Sequence, residues 1–314
     1  MRHTCLIALL VISACSFSTG FAAPDSDIAT REARRQVLRG TLGTYCGMPR
    51  RPDMTIEVEK LVEQLVDVKA QVYSICVHWG ERDWDDLQTM LPMLRKHGIN
   101  VWASIVPPSE SKPRLKMDAE PFKQDYVRWA EEIAKLSLRE PNLVAWSIDD
   151  FTHNLQTYTP EYTKRMLDAA QAINPKLAFV PCSYYKAITP EFAKVYAPML
   201  DGILFPYRHE SGGSNLKEWD LVESEVKRVR ELCGEGFPVI IDVYATAHSK
   251  LGPSTPEYVE QVMILGRQFA DGVLIYKHQD PVKERPKYEI IKRLFTKWSA
   301  EARPAPSTPT GILK

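Results

Sequence analysis

The stretch LVAWSIDDF (Leu143–Phe151) is an apolar strand pattern that ends abruptly in two adjacent carboxylates. A Pro-Asn turn signal precedes it, and polar residues follow it. A buried strand that delivers Asp149 and Asp150 to the rim of a sheet is a common way of placing carboxylates in a cleft. An Asp after a strand often caps the next helix instead, but the next predicted helix begins only at Pro160. We therefore expect at least one of these two carboxylates to be functional.

Outward from this stretch, a short apolar strand followed by an amphipathic helix recurs eight times. The strand patterns are rich in β-branched residues, as expected for parallel strands that are buried on both faces. The predicted strands are Thr41–Gly47, Gln71–Val77, Asn100–Val106, Leu143–Ile148, Leu177–Cys182, Gly202–Phe205, Val239–Val243 and Gly272–Tyr276. The predicted helices are Thr55–Val66, Trp84–Lys96, Ala119–Leu136, Pro160–Ile173, Pro190–Tyr196, Leu216–Leu232, Pro256–Phe269 and Lys287–Trp298. Three of these helices start at a Thr-Pro pair, which is typical of a helix N-terminus.

Eight alternating units over residues 38–300 predict one α/β domain, a single (β/α)8 TIM barrel. A doubly wound open sheet is the structural alternative. That fold would favour a glycine-rich phosphate loop after the first strand, and Gly40–Gly43 matches such a loop poorly.

The segments that flank the barrel predict export from a bacterial cell. Residues 1–22 are typical of a signal peptide, because a short polar start precedes an apolar run that is too short to span a bilayer. Cleavage before Ala23 is one route of processing, and a lipobox-like sequence before Cys15 offers a lipid anchor as the other. Either route predicts a periplasmic, secreted or lipid-anchored protein. We expect residues 23–37 to form a charged tether and residues 301–314 a disordered tail.

Composition and charge exclude several classes of function. The 314 residues carry no formal net charge, so neither nucleic-acid binding nor a polybasic membrane surface is expected. After the signal segment no stretch is apolar enough for a transmembrane helix. No CxxC, HExxH or GxSxG pattern occurs, so we expect buried free thiols, no metal and no cofactor. Asp149, Asp150 and Asp242 could bind a divalent cation, but a metal site usually brings more ligands.

Polar and aromatic side chains are concentrated at the carboxyl ends of the predicted strands, where this fold builds its active site. Aromatic rings stack on sugar faces, and carboxylates and amides bind hydroxyl groups, so the set favours a glycan substrate. Each residue also has a structural interpretation: tyrosines at a rim often only pack, and Arg208 could simply pair with Glu210. The predicted substrate-binding residues are Tyr45, His78, Trp79, Asn154, Tyr184, Tyr185, Tyr207, Arg208, Glu210, Asp242, Tyr244, Lys277 and His278.

The segment Asp149–Asn154 resembles the paired-aspartate motif of O-GlcNAcases and related hyaluronidase-like β-N-acetylglucosaminidases. Shorter matches to that family lie at Gly40–Pro49, Val180–Tyr184 and Pro238–Asp242. The resemblance implies that Asp149 polarises the 2-acetamido group of the substrate and that Asp150 is the general acid and base. Several family positions that bind the sugar differ here, among them Val243 in place of Asn.

The expected function is that of an exported, retaining glycoside hydrolase whose catalytic residues are Asp149 and Asp150. Two neighbouring carboxylates cannot both ionise cheaply, so their pKa values separate and one of them holds a proton near neutral pH. Two alternatives remain open. In one, Asp149 is a covalent nucleophile and Glu210 or Asp242 is the acid. In the other, the barrel binds carbohydrate without cleaving it.

Overall fold

The computed structural model describes residues 24–114 and 118–301. Eight parallel strands form a curled sheet with helices around it. The strands are β1 Leu42–Tyr45, β2 Val72–Val77, β3 Asn100–Ile105, β4 Leu143–Ile148, β5 Ala178–Phe179, β6 Ile203–Tyr207, β7 Val239–Tyr244 and β10 Gly272–Tyr276. A small antiparallel hairpin, β8 Ala247–His248 and β9 Gly252–Pro253, follows β7. The helices are α1 Pro24–Gln36, α2 Val58–Asp67, α3 Asp83–Lys96, α4 Tyr126–Arg139, α5 Pro160–Ile173, α6 Pro190–Tyr196, α7 Val222–Cys233, α8 Pro256–Phe269 and α9 Arg285–Ala300.

The strands lie in the order β5-β4-β3-β2-β1-β10-β7-β6, and all of their pairings are parallel. The segment just after β5 meets β6 through a bridge between Cys182 and Leu204. Ser183 N donates to Leu204 O at 2.8 Å, and Leu204 N donates to Pro181 O at 3.1 Å. The sheet therefore closes on itself, and the predicted single (β/α)8 barrel is confirmed.

Burial on both faces explains why the strand patterns are continuously apolar. Every residue of β2 and of β7 is buried, because one face points into the barrel and the other against the helices. Thr159, Thr189 and Thr255 cap α5, α6 and α8 through their side chains, as the Thr-Pro pairs predict. The cap fixes the start of each helix, and with it the loop that leads from the preceding strand.

Within the segment predicted as a tether, residues 24–36 form helix α1. Two arginines attach this helix to the barrel. Arg34 pairs with buried Asp201 at 2.9 Å, and Arg31 donates to the carbonyls of Ala197 and Leu200. The helix has a high density of charge and few apolar residues, so its docking leaves little trace in the hydrophobic pattern.

Several element bounds also differ from the prediction. Helix α4 begins at Tyr126 instead of Ala119, because Asp125 caps it by accepting from Arg128 N at 3.0 Å. Helix α7 begins at Val222 instead of Leu216. Strand β5 is only two residues long, and β6 continues through its proline to Tyr207.

Some predictions fall outside the described residues, namely the signal peptide, the lipid anchor at Cys15 and the tail after residue 301. Among the described residues, no helix is both long and apolar enough to cross a membrane. The four cysteines there are free thiols: Cys76 and Cys182 are buried, and Cys46 and Cys233 are half-buried.

Candidate active site

A cavity of about 320 Å³ opens at the carboxyl ends of the barrel strands. Carboxyl groups and tyrosine rings dominate its wall. The lining residues are Tyr45, Glu110, Asp149, Asp150, Cys182, Tyr184, Asp242, Tyr244, Ala247, His248, Ser249 and Tyr276. Six of the predicted site residues are among them: Asp149, Asp150, Tyr45, Tyr184, Asp242 and Tyr244.

Asp149 continues the ladder of β4 and turns its carboxyl into this cavity. Its backbone N–H donates to Ile105 O at 2.9 Å, and its Oδ1 accepts from the backbone of Asp150 at 2.9 Å. Burial and the negative charge of Asp150 raise the pKa of Asp149 to about 6, against the opposing effect of the Tyr45 hydroxyl and the Cys182 thiol. Asp149 is therefore the member of the pair that holds a proton most readily.

Asp150 has left-handed backbone geometry, with φ of 44° and ψ of 32°. The Tyr184 hydroxyl donates a short hydrogen bond to its Oδ1, and Nδ1 of His153 lies 3.8 Å from the same oxygen. Burial alone raises the pKa of Asp150, but His153, the Tyr184 hydroxyl and the charge of Arg208 outweigh it, so the net pKa is lowered. The pair separates as expected, but the proton belongs on Asp149, whereas the family resemblance makes Asp150 the acid.

Glu110 is a cavity residue that the sequence reasoning missed. It ends a short 3-10 turn, Pro108–Glu110, just beyond β3. Burial and the charges of Asp149 and Asp150 raise its pKa to about 8, so this third carboxyl is largely protonated at neutral pH. The signal for it was present: it lies five residues beyond the end of a barrel strand, in the loop that crosses the active-site rim.

Asp242 lies inside β7 and is 3% exposed. Its Oδ1 has no hydrogen-bond partner among residues 24–114 and 118–301. Burial and the charge of Asp149 raise its pKa well above the ordinary range. A buried carboxyl oxygen without a partner costs free energy, so Asp242 is suited to binding a polar group of a ligand.

Three tyrosines form an aromatic wall beside Asp242. The ring of Tyr276 packs 5.4 Å from that of Tyr45 and 5.2 Å from that of Tyr244. The Tyr45 hydroxyl lies 3.2 Å from Ser104 Oγ inside the barrel. Tyr276 ends the eighth barrel strand, but the substrate-binding prediction took only the two residues after it.

Arg208 and Glu210 follow β6 and bind each other outside the cavity lining. Arg208 Nε donates to Glu210 Oε1 at 2.9 Å, and Nη2 makes a shorter contact to the same atom. The guanidinium lies 4.1 Å from the ring centroid of Tyr184. Glu210 is 2% exposed and does not line the cavity. The geometry therefore supports the interpretation that Arg208 pairs with Glu210 and that neither side chain lines the cavity.

Seven further predicted site residues do not line the cavity. Four of them are fixed by packing or by hydrogen bonds inside the protein. Asn154 is buried and donates to Ser109 Oγ at 2.9 Å, and His278 is buried 3.2 Å from Gln64 Oε1. His78 and Tyr207 are also buried in the wall of the barrel.

The other three of these seven residues are partly exposed. Trp79 is 50% exposed and packs its edge against the His78 ring, and Tyr185 packs on Phe205. Lys277 points toward Glu284, with 3.8 Å between the charged atoms. Trp79, Tyr185 and Lys277 therefore follow strand ends but do not line the cavity.

One group in the cavity has the composition of a cation site. Ligand atoms of Asp149, Asp150 and Cys182 lie within 4.8 Å of one another. Burial raises the pKa of the Cys182 thiol well above its ordinary value, and Asp150 already accepts from the Tyr184 hydroxyl. A bound cation would have to displace the thiol proton and compete with that hydrogen bond.

No family model matches the chain, and no curated protein matches it either. Solved structures do. A GH2 β-galacturonidase from Eisenbergiella tayi bound to galacturonate has a TM-score of 0.55 at 15% identity, covering 82% of this chain and 51% of that one. The endoglucanase Cel5A catalytic domain of Thermobifida fusca has a TM-score of 0.55 at 11% identity, covering 82% and 91%. The Cel5A endoglucanase of Pseudomonas stutzeri has a TM-score of 0.53 at 12% identity, covering 85% and 97%.

These comparisons bear on the fold. The chain spans about half the length of the β-galacturonidase and β-glucuronidase chains that it matches. At such low identity the likeness establishes a shared barrel and leaves the reaction to the site. The structures are GH2 and GH5 glycoside hydrolases and do not point to the O-GlcNAcase-like family. The chain has the TIM-barrel fold on which these glycosidases are built.

Proposed function

We propose that the protein is a retaining glycoside hydrolase whose active site is the cavity that contains Asp149 and Asp150. The observation that carries this proposal is the carboxylate pair at the end of β4, with one pKa raised to about 6 and the other lowered. Glycoside hydrolysis needs one carboxyl that gives a proton and a second group that is ionised. The aromatic wall and the position of the pair in a glycosidase-like barrel support the same conclusion.

Within this proposal Asp149 is the proton donor and Asp150 the ionised partner, the reverse of the roles that the family resemblance implies. Asp150 would stabilise positive charge that develops in the substrate, or hold the N–H of a 2-acetamido group. In the second case the acetamido oxygen is the nucleophile, and no further enzyme carboxylate is required. Asp242 would bind a sugar hydroxyl at the bottom of the cavity.

A second route uses an enzyme carboxylate as nucleophile. Asp242 lies in the same cavity on a different strand and, with its raised pKa, can hold a proton for the leaving group. Glu210, the other acid considered for this role, is engaged by Arg208 and by the backbone N–H of Lys186 at 3.0 Å. In this route the nucleophile is therefore Asp149 or Asp150, and the acid is Asp242.

The test is hydrolysis of aryl glycosides by the wild type, Asp149→Asn and Asp150→Asn. The panel contains N-acetyl-β-glucosaminide, β-glucoside, β-galactoside and β-glucuronide. With phenyl as the leaving group, we expect release from at least one sugar and a loss of roughly 10²–10⁴-fold in kcat/KM in each variant. Release from the N-acetyl sugar alone supports the acetamido route, and release from the others supports the Asp242 route. If no sugar is cleaved and both variants still bind glycan, the barrel binds carbohydrate without cleaving it.

We also propose that the protein is exported, on the basis of the apolar segment within residues 1–22. Mass spectrometry of the protein purified from a bacterial host tests this. A mature chain that starts at Ala23, or a diacylated Cys15, supports export. An intact N-terminus on cytoplasmic protein contradicts it.

A further inference from the structure

Tyr184, which donates to Asp150, is itself held from several sides. Its backbone N–H donates to Thr152 Oγ1 at 3.1 Å, which ties it to the loop that carries Asp150. The His153 ring stacks on the Tyr184 ring with centroids 4.2 Å apart and an interplanar angle of 6°. The Arg208 guanidinium lies 4.1 Å from the centroid of the same ring. These contacts leave the hydroxyl few orientations other than the one toward Asp150.

Arg208 is fixed in turn by a buried carboxylate, that of Glu210, which lies outside the cavity lining. Glu210 Oε1 accepts two hydrogen bonds from Arg208, and Glu210 Oε2 accepts from Lys186 N at 3.0 Å. Arg208 Nη1 also lies 3.4 Å from Nε2 of His248, on the hairpin that follows β7. A buried ion pair is weak evidence for stability, because desolvation offsets most of its attraction. The geometry of the Arg208–Glu210 pair indicates instead that Glu210 orients the Arg208 guanidinium.

We propose that Arg208 and Glu210 are positioning residues that hold the Tyr184 hydroxyl against Asp150 and so keep that carboxylate ionised. The inference rests on the proposed function, in which Asp150 is the ionised partner. It replaces the predicted substrate-binding role of Arg208 and Glu210. The chain of contacts runs from Glu210 to Arg208, from Arg208 to the Tyr184 ring, and from the Tyr184 hydroxyl to Asp150.

Several charged and titratable groups face Asp150 from the elements packed around it. They are Glu110 after β3, Asp149 at the end of β4, His153 in the same loop, Cys182 and Tyr184 after β5, Arg208 after β6 and His248 in the hairpin. Burial among these groups favours a protonated Asp150. A hydrogen bond to the ionised form opposes that effect, and it does so only while the donor is held in place.

The experiment is a carbon-13 NMR titration of the Asp150 carboxyl in the full chain. The variants are Tyr184→Phe, Arg208→Lys and Glu210→Gln. Arg228→Lys is the matched control. Arg228 lies 5.7 Å from the ring centroid of Tyr185, the residue after Tyr184, so the control makes the same substitution at an arginine beside a neighbouring tyrosine. We expect Tyr184→Phe to raise the pKa of Asp150 by roughly 1–2 units, the usual effect of losing a hydrogen bond to a charged group. Arg208→Lys should raise it by a smaller amount, although the charge is kept, and the control should leave it unchanged.

Glu210→Gln separates positioning from simple charge. If Arg208 acts only through its charge, removing the nearby negative charge of Glu210 lowers the pKa of Asp150. If Glu210 acts by fixing Arg208, the same substitution releases the guanidinium and raises that pKa. A fall with Glu210→Gln, or no change with Arg208→Lys, overturns the inference. Should Glu210→Gln fail to fold, Arg208→Lys decides alone.

The titration tests the positioning role and the aryl glycoside assay tests the proposed function, so one claim can be contradicted while the other stands. The NMR result needs no turnover, so it decides the positioning role even if no sugar is cleaved. If the wild type cleaves a glycoside, the acid limb of kcat/KM should move with the measured pKa of Asp150 in each variant. Hydrolysis with an unmoved acid limb in Tyr184→Phe overturns the positioning role and leaves the proposed function intact.

Discussion

At the scale of single residues, the cavity contains several carboxyl groups whose pKa values differ because their surroundings differ. Asp150 keeps its charge because Tyr184 and His153 lie against it, whereas Asp149 and Glu110 are enclosed and are repelled by that charge. Carboxyl groups in one cavity therefore differ in protonation: Asp149 and Glu110 tend to keep a proton, and Asp150 tends to lose it. In acid–base catalysis this separation is what assigns the proton donor and the ionised partner.

The first prediction concerns the pH dependence of hydrolysis. Turnover by the proposed mechanism requires a protonated Asp149 and an ionised Asp150. The kcat/KM of the wild type should therefore fall as pH rises through about 6, where Asp149 loses its proton. It should also fall at low pH, below the lowered pKa of Asp150. A profile that is flat from pH 5 to 8 contradicts the assignment of Asp149.

The second prediction concerns stability and Glu110. Its folded-state pKa of about 8 exceeds the value of about 4.3 expected in an unfolded chain. As pH rises the unfolded chain loses this proton first, so the contribution of Glu110 to stability falls between about pH 4 and pH 8. Glu110→Gln removes this effect and should stabilise the protein at pH 8 by on the order of 2 kcal/mol.

Thermal melts of wild type and Glu110→Gln at pH 5 and pH 8 check this prediction. The melting temperatures should be similar at pH 5, and the variant should melt several degrees higher at pH 8. The matched control is Glu235→Gln, since Glu235 is an exposed glutamate away from the cavity. A variant that is less stable than wild type at pH 8 shows that Glu110 is ionised and favourably bound.

At the scale of elements, most of the molecule could be predicted from the sequence. Periodicity located all eight strand–helix units, because buried parallel strands and amphipathic helices leave opposite patterns. Helix α1 was not predicted, because it docks through arginine contacts to Asp201 and to backbone carbonyls. Such contacts depend on groups more than 140 residues away in the chain, and a local pattern does not contain them.

The third prediction tests this docking. Arg34→Ala leaves Asp201 1% exposed without its ion-pair partner, which should cost about 3 kcal/mol of unfolding free energy. Adding Asp201→Asn should recover part of the loss, because the neutral amide can still accept from Phe179 N. Chemical denaturation measures both variants. The control Arg139→Ala, at an exposed position, should change stability little, and an Arg34→Ala cost no larger than the control contradicts the docking role.

At the scale of the whole molecule, the barrel is closed by one weak seam. Strand β5 pairs with β4 through two residues, and a single bridge from Cys182, just after β5, to Leu204 joins this segment to β6, whereas β2 and β3 pair through six. The prediction of a closed barrel was correct, but the sequence did not reveal where closure is weakest. The predicted fifth strand, Leu177–Cys182, is as apolar as the others, and its irregular end reflects the turn that presents Tyr184.

The fourth prediction is that this seam opens before the rest of the barrel. Amide hydrogen exchange should be at least about tenfold faster at Cys182, Ser183 and Leu204 than in β2 and β3, since few hydrogen bonds must break to expose them. Exchange measured by NMR on the full chain checks this. Equal protection in the seam and in β2 would show that the barrel opens only as one unit.

The fold of the whole molecule does not by itself identify the reaction. Barrels of this kind carry many reactions, so the neighbours with solved structures support a glycosidase only together with the site. The sequence located the acid pair, since two aspartates at a strand end are a local signal. It did not locate Glu110 as a partner of that pair or show that Glu210 faces away from the cavity, because both depend on how loops from different strands fold across the rim.

The most direct test of the central claim, that Asp149 gives a proton to the leaving group during glycoside hydrolysis, is a series of aryl glycosides that differ only in leaving-group pKa. Wild type and Asp149→Asn are compared on the sugar that the wild type cleaves. We predict that Asp149→Asn retains much of its activity on a dinitrophenyl glycoside, which needs no proton, and loses roughly 10²–10⁴-fold on phenyl and alkyl glycosides. A loss that is equal for every leaving group, or no loss at all, would contradict the claim.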